Sequence, residues 1–197
     1  MNTELITPEL LDSCRHGDQT ACTRLFEIAA SSVYRLAYSL LLHQEDAEDV
    51  VQEAFVYMFR NLHQYDPARG GFQTWLYTIT VSRSRNARRR KILPTVELGH
   101  LLQFGLEPPA PSEESPEHAA LRSDARRVLA DALMTLSPRL REAVVLRYGH
   151  QLSYREMSAI LNCPEKTAES RVRLAHAALR EAMKAQDIAV LAELLPI

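Results

Sequence analysis

One helical stripe constrains this chain more than any other feature. Between Gln44 and Leu62 the apolar residues are Ala47, Val50, Val51, Ala54, Phe55, Met58, Phe59 and Leu62. They follow one another at alternating steps of three and one. That spacing keeps pace with the turn of an α-helix and puts them all on one side. A helix divided in this way needs other helices to cover its apolar side. The stretch from Gln19 to Leu42 supplies one, with Leu25, Phe26, Val33, Leu36, Ala37 and Leu40 as its expected core face. The polar residues 43–45 read as the turn between the two. Pro67, Gly70 and Gly71 mark a loop between Tyr65 and Phe72. A further helix is expected from about Gln73, with Trp75, Leu76 and Ile79 turned inward and a basic run from Arg83 to Lys91 at its end.

The pattern then stops. Residues 105–117 read GLEPPAPSEESPE, dominated by proline and acids, and are expected to be an extended, mobile linker. Helical pattern resumes near Glu117. Ser137-Pro138 reads as an N-cap with proline at the first helical position. Leu140, Ala143, Val144 and Tyr148 repeat at helical spacing, and Gly149 is placed to close that helix. Ser153 and Glu156 fit a capping box ahead of Met157, Ile160 and Leu161. Asn162-Cys163-Pro164 breaks the pattern, with Pro164 suited to the first position of a last helix running to about Ala185. Nowhere do β-branched residues alternate over five positions, so no strand is expected. The expected fold is all-α. Two small helical domains, 1–92 and 122–197, are joined by a flexible linker over 93–121, and the second contains a helix-turn-helix.

Charge is distributed in blocks. Residues 1–53 hold ten acids and three bases, and residues 54–91 hold eight bases and one acid. Residues 92–124 are acidic again, with six acids against one base; residues 125–197 hold eleven bases and eight acids. The formal net charge of -2 conceals these blocks. Fields between exposed charges fade beyond about 8–10 Å at cellular salt, so the local blocks decide what binds. Two basic blocks point to two polyanion-facing surfaces, nucleic acid being the obvious polyanion.

Other classes are poorly served. No apolar run approaches the length of about 18 residues that a spanning helix needs, and the N-terminus lacks a secretory pattern. A cytoplasmic location is the expectation. Three cysteines, Cys14, Cys22 and Cys163, argue against a disulfide framework by their odd number. Gly-rich phosphate loops, paired metal-ligand motifs and nucleophile triads are absent, so neither catalysis nor a cofactor is expected.

The two helices around Asn162-Cys163-Pro164 have the sequence form of a helix-turn-helix, whose second helix enters the major groove. The residues then facing DNA are Lys166, Thr167, Glu169, Ser170, Arg171 and Arg173, while Ala168, Val172, Ala175 and Leu179 pack inward. Lys166, Ser170 and Arg173 share one face, which nominates Arg173 for a base edge and leaves Arg171 for phosphate or a carboxylate.

Residues 136–172, LSPRLREAVVLRYGHQLSYREMSAILNCPEKTAESRV, resemble the upstream-element-binding domain of extracytoplasmic-function sigma factors, group-four members of the primary sigma family. DAEDVVQEAFVYMFRNL, residues 46–62, resembles their polymerase-binding helix, and FQTWLYTI, residues 72–79, with the basic run after it, resembles their promoter-melting segment. The resemblance implies a factor that binds core RNA polymerase through its β′ and β subunits and directs it to promoter DNA. It also implies an anti-sigma protein as partner. Asp46, Asp49, Gln52 and Glu53, opposite the apolar stripe, would face polymerase, a polar and acidic face suiting a basic partner. The loop holding Tyr65, Arg69 and Phe72 would receive a flipped base of the downstream element. Arg85, Arg88, Arg89 and Arg90 belong to a run too dense to be neutralised locally, which suits phosphate. Two positions where the family usually carries Asn and Asp are Ser82 and Asn86. Its usual Gly, Val and basic residues of the recognition helix are Lys166, Ala168 and Glu169, and a common Arg is Leu174.

Two other readings stand beside this one. A helix-turn-helix regulator that never binds polymerase leaves residues 46–79 without a role. A magnesium-dependent all-α hydrolase would use Glu45, Glu48, Asp49 and Glu53, but it needs a second acidic helix. Limited proteolysis of the free protein is expected to cut between Leu106 and Glu117 and release two stable fragments; a resistant linker would show that this segment is packed.

Overall fold

The computed structural model describes residues 6–92 and 128–182. The expected linker, the end of the last helix at Ala185 and the apolar tail Asp187–Ile197 lie outside them. Every regular element among the described residues is helical. The chain divides into two compact units, Met1–Pro108 and Pro109–Ile197.

Among the described residues the first unit has four α-helices: α1 (Pro8–Arg15), α2 (Gln19–Leu41), α3 (Gln44–Asn61) and α4 (Phe72–Ile92). The α3 stripe is its centre. Ala47, Val50, Val51, Ala54 and Met58 are fully buried, in one cluster with Leu25, Ala29, Val33 and Ala37 of α2 and Leu76 of α4. The rings of Phe26 and Phe55 meet edge to face at 4.7 Å. α4 is buried on two sides, because Tyr77, Thr80, Val81 and Ser84 are covered as well as Phe72, Leu76 and Ile79. Its three buried hydroxyls stay satisfied: Thr80 donates to the Leu76 carbonyl and Ser84 to the Thr80 carbonyl, each at 2.9 Å, and the Tyr77 hydroxyl accepts from the Gln73 side-chain amide at 3.1 Å. The turn between α2 and α3 is shorter than residues 43–45. Leu42 closes α2 in the left-handed region at φ 55°, His43 caps α3, and Gln44 and Glu45 are already helical.

The sequence pattern did not reveal α1, although its start is signalled. Thr7 accepts a hydrogen bond from the Leu10 amide, and Pro8 takes the first helical position. The turn into α2 passes through Gly17 at φ 87°, a conformation that glycine adopts without a Cβ clash. Asp18 then caps α2 through the amides of Thr20 and Ala21. This tight reversal brings Cys14 and Cys22 together, with Cα atoms 5.0 Å apart, and the two are bridged. The odd cysteine count therefore misled. Two of the three pair across one helix-turn-helix corner, and Cys163 is left as the free thiol.

The second unit contains α5 (described over 128–135), α6 (Pro138–Val144), α7 (Tyr154–Leu161) and α8 (Glu165–Ala182). Ser137 and Pro138 open α6 as expected. The spacing after them was misread, because α6 runs into a π-helical turn, Val145–Gly149. The wider turn shifts the register, so Val145 and Leu146 are buried while Tyr148 is exposed and stacks on His176 at 5.1 Å. The capping box forms in full. The Ser153 amide and hydroxyl donate to the Glu156 carboxylate at 2.8 and 2.6 Å, and the Glu156 amide donates to the Ser153 hydroxyl at 3.3 Å. Asn162 ends α7 in the left-handed region, and Pro164 precedes α8 rather than starting it, its carbonyl accepting from Thr167 and Ala168. Ser153→Ala removes both hydroxyl contacts and is expected to cost about 1 kcal/mol. Thermal unfolding should show a lower midpoint for the second unit and an unchanged first.

Candidate docking and nucleic-acid interfaces

The polar side of α3 divides in two. Asp49 is exposed, as expected for a docking face. Asp46 and Glu53 are not simply exposed, with side chains 20% and 33% accessible. They lie toward α4, which runs antiparallel to α3, and its bases reach them: Lys91 pairs with Asp46 at 2.5 Å and Arg90 with Glu53 at 2.7 Å. One step further along, the Arg83 guanidinium sits 4.7 Å over the Tyr57 ring. Three of the six bases between Arg83 and Lys91 are thus engaged with α3, which corrects the view that α3 presents all its acids outward. The cause is register: successive residues 46, 53 and 57 on one edge of α3 meet 91, 90 and 83 on α4. Gln52 is half-buried.

At the head of α4, Tyr65, Phe72 and Trp75 form an aromatic cluster. Their ring centroids are 5.5 Å apart for Tyr65 with each of the others and 5.9 Å for Phe72 with Trp75. Phe72 is buried, while Tyr65 and Trp75 remain half-exposed at its rim. Trp75, expected among the inward residues, packs against the core and is half-buried, with Tyr65 beside it at the rim. Burial raises the Tyr65 hydroxyl above its ordinary value, with Arg15 opposing and Asp66 reinforcing. The phenol is therefore neutral at pH 7 and can both donate and accept a hydrogen bond. Arg69 is exposed at the end of the short 3-10 helix Pro67–Arg69.

At 100° per residue, Trp75, Ser82, Asn86 and Arg89 fall on one side of α4, with Arg85 beside them. Ser82 and Arg89 are exposed there, and Asn86 accepts a hydrogen bond from Arg89. The aromatic rim thus continues into a polar and basic strip. Arg90 turns toward Glu53 of α3, and Arg88 is half-buried, with one guanidinium nitrogen fully covered.

The sequence reading missed one residue at this site. Arg15, at the end of α1, donates to the carbonyls of Leu62 at 3.2 Å and Tyr65 at 2.8 Å, and its guanidinium lies 5.9 Å from the Tyr65 ring centre. No local pattern could show a contact across fifty positions.

In the second unit α7, the break and α8 form the helix-turn-helix. Ala168, Val172 and Ala175 are buried and Leu179 half-buried, as expected. Lys166, Glu169 and Arg173 are exposed on the opposite side, with Ser170 half-exposed between them. Thr167 and Arg171 lie on the edge, both half-buried, and Arg171 donates to the Cys163 sulfur at 3.7 Å. Among the described residues no group of three or more His, Cys, Asp or Glu converges to hold a metal ion, so Glu45, Glu48, Asp49 and Glu53 form no such cluster.

The model of Sigma-70 region 2 matches residues 25–92, and that of Sigma-70 region 4 matches residues 126–179. The chain is 32% identical over 186 residues to the ECF RNA polymerase sigma-E factor of Escherichia coli, covering 91% of this chain and 95% of that one. It is 28% identical over 185 residues to the ECF RNA polymerase sigma factor SigW of Bacillus subtilis, covering 92% and 98%. Among solved structures it resembles CnrH, in complex with the cytosolic domain of CnrY, at a TM-score of 0.64 and 26% identity, covering 88% and 94%.

The pairs of α4 bases with α3 acids lie at the surface, the bases more than half exposed and the acids partly covered, and such surface pairs are weak. Arg90→Ala with Lys91→Ala is expected to cost less than about 1 kcal/mol of stability. The same change should flatten the salt dependence of DNA binding only as far as these two bases reach phosphate. A loss of several degrees in melting temperature would show that the pairs hold the helices together.

Proposed function

The chain belongs to the extracytoplasmic-function RNA polymerase sigma factors, and we propose from its geometry which side chains carry that role. It binds core RNA polymerase and directs promoter-specific transcription initiation. A regulator that never meets polymerase would leave the region 2 match over residues 25–92 unexplained.

The observation that carries our assignment is that one three-helix packing presents both an acid-bearing face and an aromatic rim. Asp49 is the exposed centre of the docking face on α3, with Gln52 beside it and Asp46 and Glu53 at the edge shared with α4. A basic surface on the polymerase β′ or β subunit complements it. The rim of Tyr65 and Trp75 receives an unstacked base of the downstream element. Stacking on such rings supplies about 1–3 kcal/mol per base and tolerates sequence, while the neutral Tyr65 hydroxyl reads an edge. Arg69, Ser82, Arg85, Asn86 and Arg89 follow the strand backbone, with Arg88 and Arg90 contributing charge rather than a fixed contact. In the second unit, Lys166, Glu169, Ser170 and Arg173 face the major groove of the upstream element, and Thr167 and Arg171 hold phosphates at its edge.

We further propose domain limits of 1–92 and 122–197, a cytoplasmic site of action, and no catalytic step or cofactor of the chain's own. Among the described residues no helix is long and apolar enough to cross a membrane. An anti-sigma protein is the proposed regulatory partner; the solved relative CnrH is itself held by the cytosolic domain of CnrY.

Two measurements test the assignment. Asp49→Arg places a like charge against a basic partner without touching an ion pair seen here. It should weaken core-polymerase binding at least about tenfold in a fluorescence titration, with helicity unchanged. Wild-type affinity would remove α3 as the docking face. For α8, binding is measured across single-base variants of the upstream element. Arg173→Ala should cost about 1–3 kcal/mol and relax specificity at one position. Arg171→Ala should weaken all sequences alike and lower the salt slope by about one. If Arg173→Ala weakens every sequence by the same factor, Arg173 reads no base.

A further inference from the structure

We propose that Cys14 and Cys22 form a thiol–disulfide site whose redox state sets how firmly Arg15 holds the aromatic rim at Tyr65 and Trp75. The functional consequence rests on reading that rim as the base-binding site.

The two cysteines flank the turn between α1 and α2, and their Cα separation of 5.0 Å lies within the range a disulfide spans without moving the backbone. Cys14 is buried and Cys22 half-exposed. Where thiols are kept reduced, such pairs close transiently and mark redox sensing rather than permanent cross-linking. The accessible partner begins the exchange. The Cys22 thiolate attacks one sulfur of a small disulfide such as oxidised glutathione and expels one glutathione thiolate. The Cys14 thiolate then attacks the Cys22 sulfur of the mixed disulfide and expels the second. The protein loses two electrons and two protons, and oxidised glutathione gains them as two molecules of thiol.

The bridge matters because α1 is short and is otherwise held by non-covalent contacts. Eight residues are too few for a helix to persist alone. Its described buried side chains are Leu11 and Cys14 itself. Arg15 is the next residue after Cys14, and it grips the Leu62 and Tyr65 carbonyls. Tyr65 in turn packs on Phe72 and Trp75. A covalent tie at Cys14 therefore holds the last turn of α1 against α2, and with it the guanidinium over Tyr65. Without the tie the corner keeps the Gly17 amide on the Cys14 carbonyl and the Asp18 amide on the Ser13 carbonyl, each at 3.1 Å, the buried Leu11, and a weak contact of the Cys22 sulfur with the Cys14 carbonyl at 3.6 Å, none of them covalent. The end of α1 then opens more often, and Tyr65 loosens with it.

Trp75 is the single tryptophan of the chain, so its fluorescence reports on the rim with no DNA present. Full-length protein carrying Cys163→Ser is treated with oxidised glutathione or with dithiothreitol. Alkylation and peptide mapping should find Cys14 and Cys22 blocked to alkylation, as one bridged pair, only in the oxidised sample. Acrylamide should quench Trp75 about twice as strongly in the reduced protein. Cys14→Ser with Cys22→Ser should match the reduced protein in both buffers, and Arg15→Ala should make quenching independent of redox state, with circular dichroism confirming retained helices. The parent protein compared with and without reductant decides the matter even if a variant unfolds. Cysteines that stay fully alkylatable after oxidised glutathione, or equal quenching in the two states, overturn the proposal. With core polymerase, open complexes should be longer-lived for the oxidised factor. A redox-dependent Trp75 signal with equal open-complex lifetimes would leave the switch standing and remove the base-binding reading instead.

Discussion

The apolar stripe of α3 has to be covered from two directions at once, and the first unit is the consequence. α2 and α4 both lie against it, and each also touches the other. Truncating any fully buried member, such as Met58 or Leu36, opens a cavity worth about 2–5 kcal/mol, a large share of the stability of a small domain. Because α3 is held on both flanks, its remaining polar side is narrow. That side, with the exposed Asp49 on it, is the docking face we propose. The packing that makes the core therefore also limits the surface such a face can have.

The same packing decides what happens to the charges of α4. Running antiparallel to α3, it sets Arg83, Arg90 and Lys91 against Tyr57, Glu53 and Asp46. An adjacent side of α4 carries the aromatic rim and the strip through Ser82, Asn86 and Arg89. A basic block of the sequence is thereby sorted by helix geometry. One part is turned toward α3 in weak surface contacts and the other stays available to a polyanion. The second unit applies a similar economy on a smaller scale. Buried Ala168, Val172 and Ala175 hold α8 down, so that Lys166, Glu169 and Arg173 stand clear.

Local rules were enough for much of this. Periodicity located α2, α3, α4 and α8, and the Ser153–Glu156 capping box placed the start of α7 to the residue. The resemblance carried by residues 46–62, 72–79 and 136–172 supplied a function that periodicity alone does not. What escaped was non-local or depended on an irregular turn. Arg15 meets Tyr65 across fifty positions, and nothing near Arg15 announces it. Cys14 and Cys22 pair because a left-handed Gly17 folds α1 back on α2, a geometry that counting cysteines ignores. Tyr148 was assigned inward because a regular helix was assumed through residues 145–149, where the π-helical turn moves Leu146 into its place. Asp46 and Glu53 were judged from their own helix, and the antiparallel register of α4 reassigned them.

The central claim is that this chain confers promoter choice on core polymerase. It is tested by reconstitution from purified parts. Core RNA polymerase of the source organism is incubated with genomic fragments, with and without the full-length chain, and the transcript starts are mapped in a single round. The account predicts new starts that require the chain and share two spaced upstream elements, with permanganate-reactive thymines just upstream of each start. Identical transcripts with and without the chain, while it binds DNA fragments by itself, would contradict it.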